Sequence, residues 1–319
     1  MNPGSDSAGR LWRRLHRLLL AALLAVGSSQ NSTAAETQQR SLTFTIDSDL
    51  LHGSRTIRVY LPPSYFQSST RRYPVLYVHD GQNVFSSAGT NVAFGWGNWE
   101  LDKTADALSR SGKIRELILV AIDNSPARYA EYGGTARLPQ SRDPSAFENY
   151  TTFLLSVLKP RIDRDYRTRA TPADTGVLGS SMGGICSFRL AWEHPDVFSR
   201  AASLSGAFQV ETNLLRELER YHAAPKKVRL YFDSGVVDFM GGDDGRAATE
   251  RVVVELRRIG WTDQLEHYTD AKPLTLAELK MSGLREDKWP EAQTSQHNEL
   301  YWRRRVGRAL EYLFPPENE

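Results

Sequence analysis

The chain has 319 residues, with 40 Lys+Arg against 38 Asp+Glu, 40% apolar and 24% charged side chains, and 1 cysteine. This composition belongs to a globular protein and excludes a disordered, collagen-like or coiled-coil chain. A formal charge of +2 provides no basic field for nucleic acid, and a single cysteine excludes an intramolecular disulfide and a Cys-rich metal site.

Arg10, Arg13, Arg14 and Arg17 precede an unbroken apolar run from Leu18 to Val26, and small and polar residues follow, down to Ala34 and Ala35. That layout predicts a secretory signal over residues 1–35, cleaved after Ala34 or Ala35. Basic residues stay on the cytoplasmic side while a short apolar helix enters the bilayer. The run is shorter than the ~20 apolar residues of a stable span. The mature chain is therefore expected to be periplasmic or secreted, with no stable membrane insertion, as one domain over residues 36–319.

Ser41 to Asp47 and Thr56 to Leu61 alternate apolar and polar residues and read as strands at an antiparallel sheet edge. Val75–Val78, Leu117–Val120, Thr175–Leu178 and Val228–Phe232 are short apolar runs, as expected of strands covered on both faces. Leu265 to Tyr268 alternates. Helical spacing marks Trp99–Leu108, Ser145–Leu158 with Pro160 as its stop, Thr249–Ile259 closed by Gly260, and Glu299–Leu313. The alternation predicts an α/β fold: a mostly parallel central sheet with an antiparallel N-terminal edge and helices on both faces.

Within Asp174–Gly184 stands Gly-x-Ser-x-Gly, as Gly179, Ser181 and Gly183, with an apolar strand before it and a helical pattern after it. A serine on such a turn is held in a strained backbone with its hydroxyl above the sheet, and side chains two positions either side would collide. Ser181 is the expected nucleophile, and the Met182 N–H, at the start of the helix, an expected oxyanion donor. On this scaffold an acid and then a histidine follow in the chain. His194 falls at a helix end, His222 comes too early, and His267 lies within a strand. His297, on the loop before the last helix, is preferred as base. Asp238, beyond the Val228–Phe232 strand, is the expected acid, with Asp233 next and Asp243 and Asp244 behind. Gln82, after Val78-His79-Asp80-Gly81, is the second expected oxyanion donor through its backbone.

These residues carry a resemblance. The chain resembles the esterase D-type esterase family of α/β-hydrolases, which includes feruloyl, acetyl-xylan and enterochelin esterases, S-formylglutathione hydrolase and mycolyltransferases. The matching segments are Tyr73–Asn83, Trp99–Asp102, Ile122–Asn124, Arg128 with Glu131–Tyr132, Pro160–Asp163, Tyr166–Thr168, Gly179–Gly184, His194–Asp196, and His297–Glu299 with Trp302. The resemblance implies an α/β-hydrolase fold from about Leu42 to Phe314, and a serine carboxylic-ester hydrolase with Ser181, His297 and Asp238 as its triad and Met182 and Gln82 as its oxyanion donors. It implies no metal and no other cofactor. Trp99 and Arg128 are candidate substrate-binding residues, with an ion pair and a core aromatic as the alternatives. The segment 272–296 departs from the family in length, and Pro273–Leu284 is expected to form a short amphipathic helix, a possible lid. The run Arg303–Arg305 reads as a solvated face. Export favours a small-molecule, siderophore or carbohydrate-linked ester as substrate. An acyltransferase of the mycolyltransferase type and a non-catalytic glycan- or ligand-binding relative are the other functions weighed.

Overall fold

The computed structural model describes residues 40–51, 53–133, 145–238 and 241–317. The expected export signal, residues 1–35, lies outside them. Residues Thr43–Glu319 make one compact unit. Its strands in chain order are β1 (Ser41–Ser48), β2 (Gly53–Tyr60), β3 (Val75–His79), β4 (Ile118–Ile122), β5 (Thr175–Ser180), β6 (Arg200–Leu204), β7 (Arg229–Ser234) and β8 (Leu265–Thr269). They form one eight-stranded sheet in the order β1-β2-β4-β3-β5-β6-β7-β8. β2 pairs antiparallel with β4, Ile57 opposite Ile122. From β4 through β8 the pairing is parallel.

The central strands are buried on both faces, and their side chains alternate between two cores. Val75, Tyr77 and Val177 face one layer; Leu76, Val78 and Leu178 face the other. The second layer is built on α1 (Leu101–Arg110) and on the last helix, Glu299–Leu313. The first holds α2 (Arg128–Tyr132), α3 (Ala146–Phe153), α4 (Lys159–Asp165), α5 (Met182–Glu193), α6 (Thr212–Glu219) and α7 (Arg246–Ile259). α8 (Leu276–Met281) and α9 (Trp289–Thr294) precede the last helix, α10.

Two features depart from the sequence reading. Pro160 does not stop the helix: a π-helical turn over Leu154–Leu158 joins α3 to α4. Pro160 follows that π turn, in the first turn of α4. β6 has no apolar run to announce it. It is Arg-Ala-Ala-Ser-Leu, small because α5 packs tightly against it; a Cβ on Gly184 would fall 2.5 Å from Ser203 Oγ.

The segment 272–296 holds the expected helix, shortened to α8 and started by a capping box between Thr275 and Glu278. Leu274, Leu279, Leu284 and Ala292 make a small core with Trp96 and with Leu300 and Tyr301 of α10. The segment thus props the Ala93–Trp96 loop, and Lys288 lies 4.9 Å over the Trp96 ring. Among the described residues, no helix is long and apolar enough to cross a membrane.

Candidate active site

β3, β5, β7 and β8 all end on the same edge of the sheet, the carboxyl edge, where ligands bind in open α/β sheets. Ser181 stands at the tip of β5 with φ 54° and ψ −121°. This backbone is costly for any residue but glycine, on the order of 1–3 kcal/mol. Hydrogen bonds on both sides hold it: Ser181 N–H donates to Leu204 O at 3.0 Å, and Ser181 O accepts from Ala207 N–H at 3.1 Å as well as from Gly184 N–H at 3.0 Å and Ile185 N–H at 3.3 Å at the start of α5. The glycines have the expected cause. A Cβ on Gly179 would collide with the backbone of Gly183, and one on Gly183 would lie 3.1 Å from His79 Cβ.

His297 arrives from the loop after α9. Its Nε2 lies 2.9 Å from Ser181 Oγ, and its Nδ1 lies 2.6 Å from Asp244 Oδ1. The ring packs edge-on against Trp302 at 5.2 Å. The carboxylate on His297 is therefore Asp244 and not Asp238. Asp238 lies on the loop after β7, where its carbonyl accepts from Gly241 N–H at 2.9 Å, and Asp244 follows further along the same connection. Asp238 accepts from Ser295 Oγ at 3.3 Å and borders both the site cavity and an adjoining groove of about 540 Å³. Asp244 has φ 57° and is fully buried. Its Oδ2 accepts from Ser205 Oγ at 2.7 Å and from Gly235 N–H at 2.5 Å. Burial alone would raise its pKa; the bond and charge of His297, with Arg305 and Ser205, outweigh burial and hold it below the ordinary value. Asp233 lies beneath, and burial lifts it to about 6 against the pull of Arg305, with Asp244 adding to the lift.

Ser181 and His297 open into a cavity of about 800 Å³, where Gln82, Trp99, Arg128 and Glu299 also lie. Gln82 is in the turn Gly81–Asn83, and its side-chain Oε1 accepts from Asn124 N–H at 3.1 Å. Met182 is the first residue of α5. Trp99 reaches the cavity from the second core, 5.9 Å from Trp302, whereas Trp96 and Trp289 belong to the small core under the 272–296 segment. Arg128 lines the cavity while committed to Asp80, with Nε–Oδ1 at 2.6 Å and Nη2–Oδ2 at 2.8 Å. Glu131 pairs instead with Arg55, at 2.6 Å. Asp80, in the left-handed region at φ 58°, also accepts from Asn124 Nδ2 at 2.6 Å, so this ion pair fixes the turn that carries Gln82. His79 behind it bonds Tyr150 OH at 3.0 Å. Burial, aided by Arg128 and Arg55 and opposed by Asp80, brings the His79 pKa to about 4. His79 and Asp80 thus shape the loop. At the mouth stands Phe94, 95% exposed at φ 57°.

Three residues escaped the sequence reading. Asp244 was placed, with Asp243, behind Asp238 and Asp233; its signal is Asp-Asp-Gly at a helix start. Glu299 was placed at the start of the last helix and in a family-matching segment without a role, and it is a buried cavity carboxyl. Arg305 was assigned to a solvated face, and it is 2% exposed beneath the hydrogen-bonded Asp244 and His297. It falls on the sheet-facing stripe with Trp302, Val306 and Ala309.

A family model described as "Putative esterase" matches residues 48–311. The uncharacterised protein YbbA of Bacillus subtilis is 22% identical over 265 residues, 82% of this chain and 93% of that protein. An endo-1,4-beta-xylanase/feruloyl esterase of Xylanibacter ruminicola is 27% identical over 159 residues, 48% of this chain but only 19% of that protein. An esterase of Mycobacterium tuberculosis is 31% identical over 159 residues, covering 47% of this chain and 28% of that protein. Among solved structures, a ferulic acid esterase superposes with TM-score 0.60 at 19% identity, covering 86% of this chain and 97% of that one. The enterobactin esterase of Shigella flexneri gives 0.61 at 17%, covering 86% and 58%. These likenesses show the fold. The fold is of the α/β-hydrolase type, and with the family model running over most of its length the chain belongs to the putative esterase family and is a carboxylic-ester hydrolase.

Proposed function

We propose that this chain is an exported serine esterase that works through an acyl-enzyme. The observation that carries the reading is the unbroken hydrogen-bond chain from Ser181 Oγ through His297 to the buried Asp244, opening into the cavity. Ser181 Oγ attacks the ester carbonyl carbon as His297 Nε2 takes its proton. Asp244 holds the imidazole with Nδ1–H toward itself and stabilises the imidazolium that forms. The backbone N–H groups of Met182 and Gln82 receive the oxyanion. His297 then gives its proton to the leaving alkoxide, and the alcohol departs. A water molecule, deprotonated by His297, attacks the acyl-enzyme and releases the acid, and the proton returns to Ser181.

The substrate is a small-molecule or carbohydrate-linked ester met outside the cytoplasm, siderophore esters included. The polar and aromatic cavity wall supports this, and so do the relatives named for ferulate and enterobactin esters. The basic, apolar and small-residue layout of residues 1–35 supports export to the periplasm or medium. The test is intact mass after treatment with a fluorophosphonate. One adduct on the native protein, absent from Ser181→Ala, is expected. A folded native protein that takes up no label refutes the reading.

A further inference from the structure

Beneath the triad lies a buried charge cluster of which the reaction as written uses Asp244 alone. Arg305 enters it from α10, Asp233 from the end of β7, and Asp244 from the loop before α7. Arg305 is 2% exposed, and both carboxylates are fully buried. Its Nε lies 3.2 Å from Asp233 Oδ1, and its Nη1 lies 3.5 Å from Asp244 Oδ2. Neither contact is an aligned hydrogen bond. Its Nη2 does donate to Ser205 Oγ at 2.5 Å, and Ser205 Oγ in turn donates to Asp244 Oδ2. Trp302 Nε1 donates to the same hydroxyl at 3.0 Å, and the Trp302 ring packs on His297. The cluster therefore touches both ends of the Asp244–His297 bond.

Two carboxylates share one guanidinium in a dry site. An anionic Asp244 there, with no cation below it, would be held only by His297 and two neutral donors. Desolvation and the negative charge of Asp233 would both push a proton onto it. A protonated Asp244 no longer stabilises the imidazolium that His297 becomes when it takes the serine proton. We propose that Arg305 is a positioning residue of the esterase reaction, keeping Asp244 ionised and aimed at His297 through its charge and through Ser205. The inference rests on the triad reading above. The other titratable groups around the guanidinium are Asp233, Tyr231, whose OH donates to Asp233 Oδ2 at 3.2 Å, and Asp270, which acts on it by charge. Asp233 competes with Asp244 for the same charge, and that competition makes the idea separable from a purely structural ion pair.

The experiment compares the wild type with Arg305→Met, Arg305→Lys and Asp233→Asn. It records kcat and KM for an aryl ester and the pH profile of fluorophosphonate labelling, with folding checked by circular dichroism. Arg305→Met is expected to lower kcat about a hundredfold with KM within about threefold, and to move the acid edge of the profile up by about one pH unit or more. Arg305→Lys, which keeps a charge, should recover most of kcat. Asp233→Asn frees the guanidinium for Asp244 and should move the edge down or leave it in place. A folded Arg305→Met with the wild-type profile, or one that loses rate with no movement of the edge, overturns the proposal. If Arg305→Met does not fold, the other two variants decide: an upward edge in Asp233→Asn, or a kcat in folded Arg305→Lys lowered about a hundredfold despite the retained charge, overturns it. A wild type that takes no label fails the esterase reading itself, which is a different result.

Discussion

Replacing Glu299 by glutamine should change how stability depends on pH, with a sign set by the burial of this side chain. Glu299 opens α10, is 9% exposed and accepts from Asn83 Nδ2 at 3.2 Å. Burial lifts its carboxyl from 4.5 to about 7; its own backbone N–H partly offsets the lift, and the charge of Asp80 adds to it. An acid whose folded pKa lies above its unfolded value binds its proton more tightly when folded. Its effect is absent below the unfolded pKa and becomes a penalty that grows as pH rises through the folded pKa. At about 1.4 kcal/mol per pH unit, the gap from 4.5 to about 7 amounts to roughly 3 kcal/mol as an upper figure. Glutamine keeps an Oε1 acceptor for Asn83 and carries no charge. The variant should therefore match the wild type near the acid end and exceed it by about 2–3 kcal/mol above neutral pH. Urea unfolding across that range measures the difference directly. A difference that stays constant with pH, or that favours the wild type as pH rises, refutes the reasoning.

Three further outcomes are expected. Asp244→Asn should lower kcat by about 10⁴-fold, the cost of the wrong imidazole tautomer, while Asp238→Asn should lower it less than about tenfold; steady-state kinetics on an aryl ester compares the two. Gly179→Ala places a methyl group against the Gly183 backbone, so the turn must shift and labelling of Ser181 by a fluorophosphonate should be lost, in folded protein as judged by circular dichroism. Phe94→Ala removes a ring that is 95% exposed and should leave the thermal midpoint unchanged; its place at the cavity mouth should raise KM for bulky esters about threefold or more without changing kcat.

Much of the fold was legible because strands covered on both faces need apolar side chains at every position. Val75–Val78 and Thr175–Leu178 could be read from composition alone. β6 could not. Its residues are small because Gly184 and Gly206 bring the backbone of α5 and the following loop onto Ser203, a packing demand that the strand's own composition does not announce. Pro160 misled for a similar reason. A proline normally breaks a helix, but a π turn just before it removes the clash, and the packing of Leu154, Leu158 and Ile162 in the core holds the three pieces in line.

The site divides in the same way. Ser181 was legible because the elbow is a local device, with strand, glycines and helix all within Asp174–Gly184. His297 was legible by exclusion, since every other histidine after the elbow sits in an element or too early. The acid was misassigned because the reading took proximity to the strand end as proximity to the histidine. The chain instead spends Asp238 on a turn and returns with Asp244, whose left-handed backbone and Gly245 start α7 under His297. Burial decides between the two. A carboxylate that is to orient an imidazole must exclude water and keep its charge, which requires a cation nearby in the dry layer. Asp244 has one, Arg305, and that arginine was hidden in a run of three whose other members look outward. An acid on a loop and a cation on a helix sixty residues later are uninformative apart. Helical spacing supplies the missing link, because Trp302, Arg305, Val306 and Ala309 form one stripe, and an arginine on a stripe of core residues must have a buried acid to meet.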